Sequence, residues 1–268
     1  MTESETPSTM CDDLRVVLLE RRGSIVTITL NRPTTHNAFN AELRKRVLEV
    51  IRECESFDDL RVVILTGADG GFSAGADLKA KMASDLRSVL LAEYVPIVTA
   101  LRSMDVVVMA AINGAAAGFG ASLVAAADLA IMADDASLQL AFSRIALIPD
   151  GGLTWELVRA IGYKRAYRLM IEGGRLNAIQ CRDFGLVNEI VPAAALMDEA
   201  CGWAERLCRL SPTCNRLTKR AAQHAQRATL AEAMAYEADL QQLASRSEDF
   251  HEGVAAFRQK RAPQFTGC

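Results

Sequence analysis

The chain lacks any cysteine pair at metal or redox spacing. Its seven cysteines include no CxxC, and the nearest two, Cys208 and Cys214, stand six positions apart. Imidazole is scarce as well, supplied only by His36, His224 and His251. No zinc site at the usual ligand spacing can be built from that stock, so no metal is expected. An odd number of free thiols fits a reducing compartment, and the cytoplasm is the expected location. Basic excess is also missing: 30 Lys and Arg against 33 Asp and Glu leave a formal charge of −3. Nothing there would neutralise a phosphate backbone, so nucleic acid is not an expected partner. The first ten residues, MTESETPSTM, lack the basic-then-apolar order of a signal peptide. Residues 1–13 are read as a disordered lead.

One uncharged run is long enough to span a bilayer, 106–127. Asn113, Gly114, Gly118 and Gly120 interrupt it, alanine fills much of its second half, and Asp105 and Asp128 close its ends. A buried strand, a tight turn and a buried helix explain it better than a membrane span, and no membrane is expected.

What is present suits one large domain. The chain has 268 residues, half of them hydrophobic, enough for a core without disulfides or metals. Two β-runs, 15–20 and 25–30, flank a glycine turn at Gly23. Asn40 then stands as an N-cap before Leu43, Val47, Val50, Ile51 and Cys54 at helical spacing. Short β-branched or apolar runs at 62–66, 106–112 and 129–133 read as buried parallel strands with helices between them, so the class is α/β. From residue 193 the strand signals stop, and helices are predicted at 193–210, 215–226, 230–244 and 248–258. The expected organisation is a mixed core over 14–192 and a helical region over 193–268.

Three motifs compete for the chemistry. GFSAG at 71–75 matches the GxSxG nucleophile elbow. An elbow needs its serine directly after a strand, whereas a loop separates Ser73 from the run ending near Thr66. GFG at 118–120 begins a dinucleotide fingerprint, but Leu123 stands where the third glycine belongs. The third reading takes both segments together, VVILTGADGGFSAGADL and VVVMAAINGAAAGFGASL. Each is a strand, a small-residue turn and a helix start. Small side chains let a ligand approach the main chain, and two such turns side by side could aim two N–H donors at one oxygen.

These segments carry a resemblance. LNRPTTHNAFN at 30–40, GFSAGADL at 71–78, INGAAAGFGASLVAAADL at 112–129, ALIPDGGLTWELVRAIG at 146–162 and AFRQKRAPQF at 256–265 stand in the order of the crotonase superfamily, the enoyl-CoA hydratase/isomerase family. The chain resembles that family from about residue 14 to 263. The resemblance implies a crotonase-type spiral of ββα repeats with a C-terminal helical trimerisation and capping region, assembled as a homotrimer or as a hexamer built from two trimers. It implies an acyl-CoA thioester as substrate, with coenzyme A part of that substrate and no separate cofactor.

By position the backbone N–H groups of Ala74 and Phe119 form the oxyanion hole. His36, Asn37 and Ala38 flank the CoA moiety together with the loop of Ala74, Gly75, Ala76, Asp77 and Leu78. Phe257 and Lys260 match an F-x-x-K that helps cover the CoA end, although a solvated helix lysine would look the same. Hydratases of the family use two glutamates, at the positions held here by Ser122 and Phe142, and neither residue is an acid or base near neutrality. Phe142 instead lines the acyl pocket by this alignment. Asp150, in IPDGG, stands where the family's enoyl-CoA isomerases carry their acid. The surrounding AFSRIALIPDGGLTW looks most like the 1,2-epoxyphenylacetyl-CoA isomerases. Asp150 can equally be an N-cap of the following helix, and Asp77 a cap of its own. Three functions stay open at this point: an isomerase driven by Asp150, a hydratase with relocated acids, and an acyl-CoA-binding homologue without catalysis.

Overall fold

The computed structural model describes residues 15–80 and 84–267. The lead expected at 1–13 lies outside them. The elements run β1 (Val17–Arg22), β2 (Ile25–Leu30), α1 (Ala41–Cys54), β3 (Val62–Gly67), α2 (Leu86–Val89), a π-turn (Leu90–Tyr94), α3 (Val95–Ser103), β4 (Val107–Ile112), β5 (Ala115–Ala117) and α4 (Phe119–Ala126). There follow β6 (Leu129–Ala133), β7 (Ser137–Gln139), α5 (Leu153–Ile161), α6 (Tyr163–Glu172), β8 (Arg175–Asn177), α7 (Ala178–Asp183) and β9 (Glu189–Val191). Four helices close the chain: α8 (Leu196–Cys208), α9 (Pro212–Ala225), α10 (Leu230–Ala244) and α11 (Glu248–Gln259).

The uncharged run resolves into β4, β5 and α4, and no helix among the described residues is long and apolar enough to cross a membrane. Every residue of β3 is buried, which is why its sequence is apolar throughout rather than alternating. β2, β3, β4, β6 and β9 run parallel, and β1 joins antiparallel at one edge. The sheet order is β1-β2-β3-β4-β6-β9. α1 covers it with Leu43, Val47, Val50, Ile51 and Cys54, started by the Asn40 side chain accepting from the Leu43 amide at 2.8 Å. Removing such a cap costs about 1 kcal/mol.

A second, smaller layer positions the site. β5, β7 and β8 form a three-stranded sheet, and two isolated bridges, Phe39 to Ala76 and Ser73 to Ala116, extend its pairing into the loops. The segments that follow β2, β3, β4 and β6 thus turn into this layer. The loops at the C-terminal ends of β2, β3 and β4 are hydrogen-bonded side by side.

The helical region is tied on by buried polar clamps. Arg61 donates to the carbonyls of Cys208 and Phe265, and Lys219 donates to Asp128 at 2.7 Å and to the Val106 carbonyl at 3.1 Å. Asp249, 3% exposed, accepts from the Ser211 hydroxyl and from the amides of Thr266 and Gly267. An Asp249→Ala variant strands those donors and is expected to lose about 1–3 kcal/mol of stability in urea unfolding. Asp249→Asn, which keeps an acceptor, loses less. Equal stability of all three proteins would show the clamp to be idle.

Candidate active site

Among the described residues, one cavity brings the motif segments together. It measures about 390 Å³ and lies beyond the C-terminal ends of β3 and β4. Ala74, Ala76, Asp77 and Leu78 form one wall, Gly118 and Phe119 another, and Phe142 and Asp150 a third. Apolar side chains close it: Phe39, Leu86, Val89, Leu90, Tyr94 and Leu147. A larger cleft of about 590 Å³ sits at the other end of the parallel strands, near Leu60, Val106 and the C-terminal tail. It contains none of the motif residues.

The fold uses some amides of these turns and leaves others free. The Ala74 amide donates to the His36 carbonyl at 2.8 Å. It is committed to the fold, and its expected place in the oxyanion hole is corrected here. Two positions on, the bridge to Phe39 uses the Gly75 carbonyl and the Asp77 amide but passes over the Ala76 amide. Ala76 is exposed to the cavity, and its N–H meets no acceptor among the described residues. The Phe119 amide opens α4, where a first-turn N–H has no intrahelical partner, and it too is unbonded. Gly75 is required between them: φ is +86°, and a Cβ there would lie 2.7 Å from the Ala117 carbonyl oxygen and 3.2 Å from the Phe119 nitrogen. The loop can press against α4 only without a side chain.

Asp150 is half-buried, and its Oδ1 is enclosed without a hydrogen-bond partner. Burial pushes its carboxyl up to about 6, opposed only by its own amide. It does not cap the next helix. Gly152 holds the N-cap position of α5 with no side-chain cap, and the Asp150 main-chain carbonyl accepts from Leu153. Ser122 explains how the loop is held: fully buried, it donates its hydroxyl to the Asp150 carbonyl at 3.0 Å. Ser122 therefore lies beneath the acid rather than against substrate, which corrects its expected role. Gly151, at φ +59°, is pressed onto Ser122 and Phe119, where a Cβ would meet Ser122 Cβ at 2.8 Å.

The remaining expected site residues divide. Asn37 is fully buried and spent on the fold, accepting from the Arg32 amide and donating to the carbonyls of Ala68 and Gly71. Ala38 is buried with its carbonyl bonded by Arg32, and His36 stands exposed at the flank. Neither Asn37 nor Ala38 has a side chain facing the cavity, a correction to their expected contact with CoA. Asp77 pairs with Arg32 at 3.0 Å, a contact that holds its carboxyl below the usual range. Its other oxygen closes a turn on the Lys79 amide. Phe142, 7% exposed, lines the cavity as expected. Phe257 and Lys260 do not join it: Phe257, at 85% exposure, lines a separate groove between α10 and α11, and Lys260 ends α11 with a left-handed φ of +54°.

Sequence reasoning missed Ala76 as a free donor, and it missed Tyr94 and Arg44 altogether. Tyr94 is 5% exposed and packs edge-on to the Phe119 ring at 4.6 Å. Of the five described cysteines four are buried or half-buried and Cys214 is exposed, and burial raises the thiols of Cys54 and Cys181 to about 11. Neither is a nucleophile near neutrality.

Comparison with known proteins agrees with this architecture. The chain is 38% identical over 260 residues to a 1,2-epoxyphenylacetyl-CoA isomerase of Escherichia coli K12, covering 95% of this chain and 99% of that protein. It is 30% identical over 251 residues to a 2,3-dehydroadipyl-CoA hydratase of the same organism, covering 94% and 98%. The crystal structure of an enoyl-CoA hydratase from Bacillus anthracis superposes with a TM-score of 0.91 at 32% identity, over 95% of this chain and all of that one. The fold is the α/β crotonase fold. Residues 20–268 match the family described as enoyl-CoA hydratase/isomerase, and the chain belongs to that family.

Proposed function

We propose that this enzyme moves a double bond, in a chain or a ring, within an enoyl-CoA thioester. The observation that carries the reading is Asp150: a carboxyl raised to about 6, with a buried unpartnered oxygen, on the wall of the cavity onto which Ala76 and Phe119 open. The thioester carbonyl accepts from the amides of Ala76 and Phe119. As ionised Asp150 takes a proton from one carbon, charge moves onto that carbonyl oxygen as an enolate, and the two donors stabilise it. Protonated Asp150 then returns the proton to another carbon. One C–H bond breaks and another forms, and no water or further cofactor takes part.

Hydration would need a second proton carrier. Among the described residues the other carboxylate at the cavity is Asp77, which Arg32 holds ionised, and by the family resemblance Ser122 and Phe142 stand where hydratases keep their glutamates. We read the assembly as a homotrimer or hexamer. Phe257, Tyr163 and Leu230 are left exposed by a single chain, and further copies would cover them.

A paired assay tests the reaction. Wild type is expected to convert 3-enoyl-CoA to the conjugated 2-enoyl-CoA, followed by thioester absorbance, and to form no 3-hydroxyacyl-CoA from 2-enoyl-CoA. Water addition would favour a hydratase instead. Silence on both, with thermal stabilisation by acyl-CoA, would leave a binding protein.

A further inference from the structure

We propose that the Tyr94 hydroxyl sets acyl-group specificity by donating a hydrogen bond to an oxygen on the acyl group, so that the preferred substrates are oxygen-bearing acyl thioesters rather than plain hydrocarbon ones. The inference rests on the acyl-thioester reading above. It does not depend on which reaction follows.

The side chain is held firmly. The π-turn 90–94 replaces one regular helical turn just before Val95-Pro96, and such turns recur where a helix must re-aim a side chain at a site. Arg44 stacks over the Tyr94 ring at 4.9 Å and donates through Nη1 to the Tyr94 oxygen at 3.3 Å. Arg44 is fixed in turn by Glu93 at 2.6 Å and by the Phe39 carbonyl at 3.2 Å. One lone pair of the phenol is therefore occupied, while its hydrogen is given to no protein acceptor among the described residues. A donor on the phenol oxygen polarises the O–H and strengthens the bond it can give.

Asp150 is the natural rival acceptor, since it lines the same cavity as Tyr94. It forms no hydrogen bond with Tyr94, and its Oδ1 has no partner among the described residues. Consistent with this, the Asp150 carboxyl stands raised rather than lowered, and the Tyr94 phenol is raised by burial, which keeps it protonated as a donor. An uncommitted O–H at a cavity otherwise lined by apolar side chains such as Phe39, Leu90 and Phe119 penalises an acyl group that offers nothing to accept it. Sites built to hydrogen-bond a substrate oxygen reject analogues lacking it for this reason.

The test uses saturated thioesters, which cannot isomerise. Dissociation constants of hexanoyl-CoA and of its 3-, 4-, 5- and 6-hydroxy derivatives are measured calorimetrically for wild type and Tyr94→Phe. The variant keeps the ring against Phe119 and removes only the hydroxyl. At least one hydroxy derivative is expected to bind wild type about 10- to 100-fold tighter than hexanoyl-CoA, and that preference should vanish in the variant. Equal binding of all five by wild type, or a preference that survives in Tyr94→Phe, overturns the proposal. If none of the five binds wild type, the acyl-thioester reading itself has failed, and the proposal falls with it.

Discussion

Asp150→Asn is expected to lose 3-enoyl-CoA isomerase activity by about 10²–10⁴-fold while becoming more stable at pH 8. The two effects share one cause. A carboxylate enclosed on the cavity wall, with Oδ1 unpartnered, is held there at a cost in solvation, and the same desolvation lifts its pKa to about 6. Asparagine keeps the shape and the main-chain bonds to Ser122 and Leu153 but carries neither the base nor the charge. Full activity in the variant would remove Asp150 from the mechanism.

The pH dependence follows with a definite sign. In the unfolded chain Asp150 titrates near the ordinary value of about 3.9, and in the folded protein near 6. Between those values the folded state binds more protons than the unfolded one, so wild-type stability falls as pH rises through the window and stays lower above it. The variant does not titrate there. Its advantage should be absent below about pH 4 and reach about 1–3 kcal/mol above about pH 6.5, read as a difference in urea midpoints. Activity runs the other way: kcat/KM of the wild type should rise through a pKa near 6, because the base works ionised. A kcat/KM flat from pH 5 to 8 would contradict the assignment.

Much of the fold was readable because its signals are long and periodic. The pattern of Leu43, Val47, Val50 and Ile51 behind Asn40 is the buried face and cap of α1, and the apolar run at β3 is buried throughout. The α10 boundaries match the expected 230–244, and the Thr229–Glu232 capping box opens the helix. Strands of three residues such as β5, β7 and β8 carry too few positions to show a period, and the bridge from Phe39 to Ala76 pairs loops that no pattern announces. The site divides in the same way. Asp150, Phe119 and Phe142 come together at the cavity as the motif alignment implies. Which amide of the 74–78 loop is free was not readable, since it depends on the His36 carbonyl reaching Ala74 across the fold. Tyr94 was hidden for another reason: its orientation depends on a π-turn, and 90–94 reads as ordinary helix.

That reassignment makes the strongest contrast between two neighbouring substitutions. Proline at position 76 deletes an N–H that bonds to nothing among the described residues, while the Gly75 carbonyl and Asp77 amide that pair with Phe39 remain. Ala76→Pro should therefore fold, bind CoA, and lose about 10²–10³-fold in kcat, the usual consequence of losing one oxyanion donor. Proline at position 74 deletes the 2.8 Å bond to the His36 carbonyl instead. Ala74→Pro should then show its damage first as a lost stability of about 1–3 kcal/mol, seen as a lowered melting temperature, because the His36 carbonyl loses its donor. Measuring kcat, CoA affinity and melting temperature for both variants separates the two amides. If Ala74→Pro loses kcat without losing stability, and Ala76→Pro turns over at the wild-type rate, the free amide at Ala76 is not the one that holds the thioester oxygen.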